Sequence, residues 1–172
     1  FKELSLITAK PVLYVCNVGE DEAATGNAHS ARVLEKAAAE RAEAVVISAA
    51  IEAEIALLET AGDKMEFLET LGLEDTGLSK VIAAGYKVLG LVTFLTTGPK
   101  ESRAWTVPQG ATAPQAAGVI HSDFEKGFIC AETIGFDEFM ANGSEQAARE
   151  AGKMRQEGRD YVIQDGDVLL FR

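Results

Sequence analysis

Residues 11–16 (PVLYVC) run into Asn17-Val18-Gly19-Glu20, and are followed by residues 30–42 (SARVLEKAAAERA) and 44–47 (AVVI). This stretch decides the fold. PVLYVC is a continuous apolar run rich in β-forming residues, which predicts a strand buried on both faces. It stops at Asn17, and a polar loop carrying Gly19, Gly26 and Asn27 follows. In the next segment Ala31, Leu34, Ala38 and Ala42 recur at helical spacing. AVVI is too short for a helix and is β-branched. The order is therefore strand, helix, strand, a crossover that joins parallel strands and is right-handed in nearly all known cases.

Working outward, residues 52–71 predict one or two helices broken near Gly62-Asp63. Residues 72–77 predict a loop, and 78–89 (LSKVIAAGYKVL) an amphipathic helix with Val81, Ile82, Tyr86 and Leu89 on one face. The pattern changes after Gly90. LVTFL (91–95) and RAWTV (103–107) predict strands joined through TTGPKES, a hairpin-length loop with Gly98-Pro99. Thr112 with Pro114 two residues on marks a helix start, and that helix runs to about Ile120. Residues 128–134 predict a strand, 144–156 a helix and 161–164 a strand. Asp165-Gly166 predicts a hairpin turn, and 168–171 the returning strand. We therefore expect an α/β domain over residues 1–90 and a small mixed α+β domain over 91–172. Repeats and low-complexity tracts are absent from the sequence.

Composition narrows the function. The 172 residues are 47 % hydrophobic and 25 % charged, which argues against disorder. Lys and Arg number 16 against 27 Asp and Glu, a net charge of −11, so an overall basic nucleic-acid binder is excluded. No apolar run approaches the ~20 residues of a membrane span, and membrane association is not expected. Cys16 and Cys130 make no disulfide framework and match no zinc spacing; both read as inert core thiols in a reduced, cytoplasmic compartment. The chain opens on Phe1 without a secretory signal and ends within the apolar run VLLFR, so both ends look cut and a fragment of a longer protein is expected.

The end of the first strand is the most informative site. In open α/β sheets, ligands sit in the crevice at the carboxyl ends of the strands. Asn17 and Glu20 stand at that edge, and the second strand ends there with Ser48-Ala49-Ala50, small residues that let a flat ring approach the backbone. An amide and a carboxylate opposite a small-residue loop suit the hydrogen-bonding edge of a purine, since the amide can donate to a ring nitrogen and accept from an exocyclic amine. The same residues, taken alone, also fit an ordinary turn after a strand.

NVGE (17–20) followed by SAAIE (48–52) resembles the fourth and fifth motifs of P-loop GTPases, with N-x-x-E in place of N-K-x-D. That form is characteristic of the YchF and Obg-like ATPase family. The resemblance continues through RAWTVPQGATAPQAAG (103–118) and IHSDFEKGFI (120–129) to the closing EAGKMRQEGRDYVIQDGDVLLF (150–171), so it covers essentially the whole chain. It implies that residues 1–90 are the last part of a P-loop nucleotide-binding domain, and that residues 91–172 are a TGS domain, a ubiquitin-like β-grasp module. It also implies Asn17, Val18 and Glu20 as base contacts, with Ser48, Ala49 and Ala50 as the second wall. Ala50 departs from the GTPase pattern, which leaves open how much of that wall is backbone.

The same resemblance implies ATP, or less well GTP, as nucleotide with Mg²⁺ in the intact protein, the ribosome as partner, and a monomer. Base preference has a physical basis. In the GTPase pattern an Asp accepts two hydrogen bonds from guanine. Glu20 is one methylene longer, which displaces that geometry, and Val18 stands where a Lys stem would cover the base. A charged hydrogen bond lost at this edge is worth about 1.5–3 kcal/mol, enough to swing base preference more than tenfold.

A phosphate-binding loop needs G-x-x-x-x-G-K-S/T. The only Gly-Lys pair, Gly152-Lys153, is followed by Met154 and has Ala147 where the first Gly belongs. We expect no catalytic residue and no metal ligand here, and no hydrolysis by this chain alone. His121, Asp123 and Glu125 read as a structural turn, and Trp105 and Phe128 as core. Arg149, Lys153, Arg155 and Arg159 form a local basic cluster that reads as a solvated helix face or a local RNA contact. Residues 91–172 carry 8 Lys+Arg and 12 Asp+Glu, a net of −4, so any RNA contact would be local. The alternative to the nucleotide reading is a non-enzymatic β-grasp module that docks on protein or RNA.

Overall fold

The computed structural model describes residues 4, 6–98 and 101–172. Pro99 and Lys100, within the predicted hairpin connection, lie outside the described residues. The chain divides into two compact units, residues 1–89 and 90–172. No helix among the described residues is long and apolar enough to cross a membrane.

In the first unit β1 (Leu13–Asn17), α1 (Ala28–Glu40) and β2 (Glu43–Ile47) form the expected crossover. The strands pair in parallel, with Leu13 opposite Glu43 and Asn17 opposite Ile47. Helix α1 starts earlier than the apolar spacing implies because Asn27 caps it: its Oδ1 accepts from the amides of His29 and Ser30, each at 2.9 Å. The helix ends at Arg41, held in the left-handed region at φ 55°. Helices α2 (Ala49–Leu57), α3 (Ala61–Thr70) and α4 (Gly77–Leu89) complete the unit.

The break in the helical stretch falls at residues 58–60, not at Gly62-Asp63. Thr60 caps α3 by accepting from the Asp63 amide at 3.1 Å, so Gly62-Asp63 lies inside the first turn, where an acidic side chain is favourable. Ala23, Ile51, Ile55 and Leu68 form the apolar core around α2 and α3. Successive side chains of a strand point to opposite faces. Tyr14 donates to Glu40 of α1 at 2.6 Å, while Glu43 pairs with Lys87 of α4 at 2.7 Å, so α1 and α4 cover opposite faces of the two strands. The expectation of a strand buried on both faces fails for β1: Val15 is 47 % exposed, because α4 lies over β2 more than over β1.

The second unit is a five-stranded sheet. Its strands are β3 (Leu91–Thr97), β4 (Ser102–Pro108), β5 (Ala131–Gly135), β6 (Arg155–Glu157) and β7 (Asp167–Phe171), in the spatial order β4-β3-β7-β5-β6. β7 runs parallel to β3 and antiparallel to β5; the two outer pairs are antiparallel. Helix α5 (Ala113–Ile120) starts on Thr112 with Pro114 in its first turn, as expected. Short helices α6 (Ser122–Lys126), α7 (Phe136–Asn142) and α8 (Glu145–Glu150) complete it.

Phe94, fully buried, stacks at 6.5 Å on Trp105 and meets Phe171 edge-on at 6.0 Å, while Ala113, Ala116 and Ala117 bring α5 onto the same core. Phe128 is buried in that core too, as expected, and Trp105 is half-buried against it. Cys16 and Cys130 are only half-buried, and Cys130 precedes β5 instead of lying within a strand.

Two expectations fail at the carboxyl end. The helix predicted over 144–156 stops at Glu150; Gly152 turns the chain at φ 70°, and residues 155–157 pair with β5 as β6. Residues 161–164 make only a bridge from Val162 to Thr112, so the turn at Asp165-Gly166 leads into β7 without closing a hairpin. The buried Asp167 carboxylate holds this turn, accepting from the Gln164 amide at 2.9 Å and from the Tyr161 hydroxyl at 2.8 Å.

Phe94→Ala is expected to lower stability by about 3–5 kcal/mol, the cost of emptying a filled aromatic site; denaturant unfolding of the chain measures it. Burial first, and then the hydrogen bond and charge of Asp167, push the Tyr161 phenol above its ordinary 10.0. The folded state therefore keeps a proton that the unfolded chain releases from about pH 10 upward. This group leaves stability unchanged below that pH and lowers it above. Tyr161→Phe is expected to flatten that fall, as read by unfolding of both proteins on either side of the ordinary phenol value.

Candidate nucleotide-base site

The parallel register places the carboxyl ends of β1 and β2 at one edge. The Val18 amide donates to the Ile47 carbonyl at 2.9 Å, extending the ladder one residue past β1. Asn17, the last residue of β1, reaches across: its Oδ1 accepts from the Ala49 amide at 2.9 Å. Ala49 opens α2, whose first amides have no partner within the helix, so the Asn17 side chain caps a helix 32 residues away in sequence. The two loops predicted to face a purine are thus in contact. With Oδ1 engaged, the two Nδ2 protons of Asn17 are the part of the amide left to meet a ligand.

Glu20 begins a single 3-10 turn, residues 20–22, and is exposed. Among the described residues no side chain or amide bonds its carboxylate. Glu22 is used internally: it accepts from the Asn27 Nδ2 at 2.7 Å and from the Gly19 amide at 3.4 Å, which shapes the loop between β1 and α1. Val18 is half-buried. Ala49 and Ala50 are exposed, but Ser48 is buried, and among the described residues its hydroxyl has no hydrogen-bond partner.

One residue of the same segment went unread. Glu52, on α2, accepts from the amides of Gly77 at 2.6 Å and Leu78 at 3.1 Å, at the start of α4. The available signal was the acidic residue closing SAAIE, four positions after Ser48.

The other candidates take structural places. His121 Nδ1 accepts from the Asp123 amide at 3.2 Å and caps α6. Each member of the basic cluster has an internal partner: Arg149 with Glu132 at 3.1 Å, Lys153 with Glu138 at 3.1 Å, Arg155 with Glu157 at 3.4 Å, and Arg159 with the Phe128 carbonyl at 2.8 Å. Arg149, Lys153 and Arg155 nevertheless stay about half exposed in these surface pairs. Among the described residues no three His, Cys, Asp or Glu side chains gather as a metal cage.

Residues 91–172 match the family model YchF-GTPase_C, described as a protein of unknown function. The chain is 53 % identical over 99 % of its length to the ribosome-binding ATPase YchF of Bacillus subtilis, covering 47 % of that protein. It is 42 % identical over 97 % of its length to Obg-like ATPase 1 of Rattus norvegicus, covering 42 % of it. Among solved structures, the Schizosaccharomyces pombe YchF GTPase superposes with a TM-score of 0.82 at 33 % identity, over 99 % of this chain and 45 % of that one. The chain spans about half the length of the curated relatives it matches. With the NVGE and SAAIE loops joined at one sheet edge, the chain is similar across nearly every residue to about half the length of YchF and Obg-like ATPases.

Proposed function

We propose that this chain is the carboxyl-terminal part of a ribosome-associated YchF-type NTPase that binds and hydrolyses ATP, and GTP less well, when intact. Residues 1–90 supply base recognition, with Mg²⁺ and the phosphates held by the rest of the nucleotide-binding domain, and the whole acts in the cytoplasm. The observation that carries this reading is the Asn17–Ala49 hydrogen bond, which ties the end of β1 to the start of α2 and leaves the Asn17 Nδ2 protons for a ring nitrogen. Asn17, Val18 and Glu20 form one wall. Ala49, Ala50 and the backbone of Ser48 form the other, small enough for a ring to lie against.

Glu20 is the base reader. Its carboxylate has no partner among the described residues and stands on a longer stem than Asp, which displaces the two-bond geometry that guanine rewards. Adenine has no donor pair on that edge and loses little when the pair of bonds is absent. Val18 adds apolar contact without the cation a Lys would bring.

Residues 91–172 are proposed as a TGS module of β-grasp type. The sheet order supports it: an opening hairpin of β3 and β4, helix α5 after it, and a last strand β7 set parallel to β3 between the two antiparallel pairs. Its role is to dock the protein on its partner, the ribosome.

The full-length protein carrying this sequence is expected to bind ATP more tightly than GTP in a nucleotide titration. Glu20→Asp combined with Val18→Lys is expected to move that ratio toward GTP by about tenfold, one well-placed charged hydrogen bond. A wild-type protein that prefers GTP would refute the assignment.

A further inference from the structure

We infer that Glu52 and Gly77 are positioning residues for the base wall: the Glu52 carboxylate on the two leading amides of α4, closed over a glycine with no room for a side chain, sets the height of the Ser48–Ala50 loop against Asn17. This rests on the base-site reading above and adds to it the device that holds the wall in place.

Glu52 is the fourth residue of α2, one turn past Ala49, whose amide bonds Asn17. Its two oxygens divide between two successive amides, Gly77 at 2.6 Å through Oε1 and Leu78 at 3.1 Å through Oε2. A carboxylate accepting from two amides at a helix start is a charge-assisted pair that also meets the positive end of the helix. The half-buried position of Glu52 strengthens that pairing relative to one in open water.

Gly77 carries the second, independent observation. A Cβ built there would lie 2.9 Å from both the Cβ and Cγ2 of Ile47, and 3.0 Å from Glu52 Oε1. Real Cβ atoms do not come so near a branched side chain, so α4 reaches the sheet edge only because residue 77 is glycine. Ile47 is the partner of Asn17 in the parallel ladder and directly precedes Ser48. One contact chain therefore runs from α4 through Gly77 to Ile47, and through Glu52 to α2, and both branches end at the loop that Asn17 grips. A displacement at Gly77 is passed to both sides of that loop.

The consequence is selective. A loosened clamp disturbs the surface on which the ring lies, and does not touch groups that hold phosphates. The experiment uses the full-length protein and two ligands, ATP and inorganic tripolyphosphate, which lacks a base. Wild type is expected to bind ATP more tightly than tripolyphosphate. Glu52→Ala and Gly77→Ala are each expected to weaken ATP binding about tenfold, the scale of one charge-assisted hydrogen bond, while tripolyphosphate affinity stays within about twofold. Glu52→Gln keeps one acceptor oxygen and is expected to recover part of the loss. It also carries the comparison if Glu52→Ala does not fold. Equal losses for both ligands, or no loss for either, would overturn the positioning role while leaving the base site standing. Equal binding of ATP and tripolyphosphate by wild type would overturn the base-site reading, and this inference with it.

Discussion

A side-chain amide at the end of β1 bonds the first amide of α2, and the arrangement of the site depends on that bond. Parallel pairing alone brings the ends of β1 and β2 to one edge, but it leaves two loops free to separate, since the ladder ends with the Val18 amide on the Ile47 carbonyl. Asn17 closes the gap. It satisfies a helix amide that would otherwise need water, and it does so with an uncharged group. Aspartate could accept the same bond but would carry a charge into the crevice and would have no proton to give. Asparagine spends its oxygen on the helix amide and keeps two amine protons, so one side chain builds the edge and could serve the proposed base site.

The first unit was legible where local chemistry decides the outcome. PVLYVC and AVVI are strands because their residues are apolar and β-rich, and their pairing follows from the helix between them. Asn27 shows the limit of periodicity: the apolar spacing began at Ala31, but the helix begins where a side chain can receive its leading amides. The same holds at Thr60, whose hydroxyl sets a helix start that the nearby glycine seemed to forbid. Asn17 and Glu20 were legible as an edge pair. The bond from Asn17 to Ala49 and the clamp at Glu52 were not, because each joins residues more than 20 apart whose meeting follows only from the packed helices.

In the second unit the errors share one cause. Arg149 and Lys153 stand at helical spacing, yet their partners are Glu132 and Glu138, on β5 and α7, so the spacing marks a surface shared by several elements and not a continuous helix. Gly152 then releases residues 155–157 to pair with β5. The turn at Asp165-Gly166 was legible, and its destination was not. A short polar turn suggests a neighbour just upstream, whereas β7 inserts between β3 and β5, with its parallel partner some 70 residues earlier. What holds that turn is a buried carboxylate, Asp167, satisfied by Tyr161 and Gln164. Burying such a charge is costly unless it is fully bonded, so the tyrosine that read as the start of a strand serves instead as the donor that makes the turn possible.

Electrostatics at the β1 edge set the direction in which a nucleotide would lie in the proposed site. Glu20, Asp21 and Glu22 follow one another in a single turn. Glu22 is held against the loop by Asn27 and the Gly19 amide but keeps its charge, so all three carboxylates contribute to the field, with Glu20 and Asp21 the exposed ones. Carboxylates repel a triphosphate and attract the amine-bearing edge of a base. In the proposed site, a ligand carrying both would be oriented before any specific bond formed, with its ring toward NVGE and its phosphates away. The acidity of this corner, which counted against nucleic acid as a partner when read as net charge, suits a site that grips only the uncharged end of a highly charged molecule.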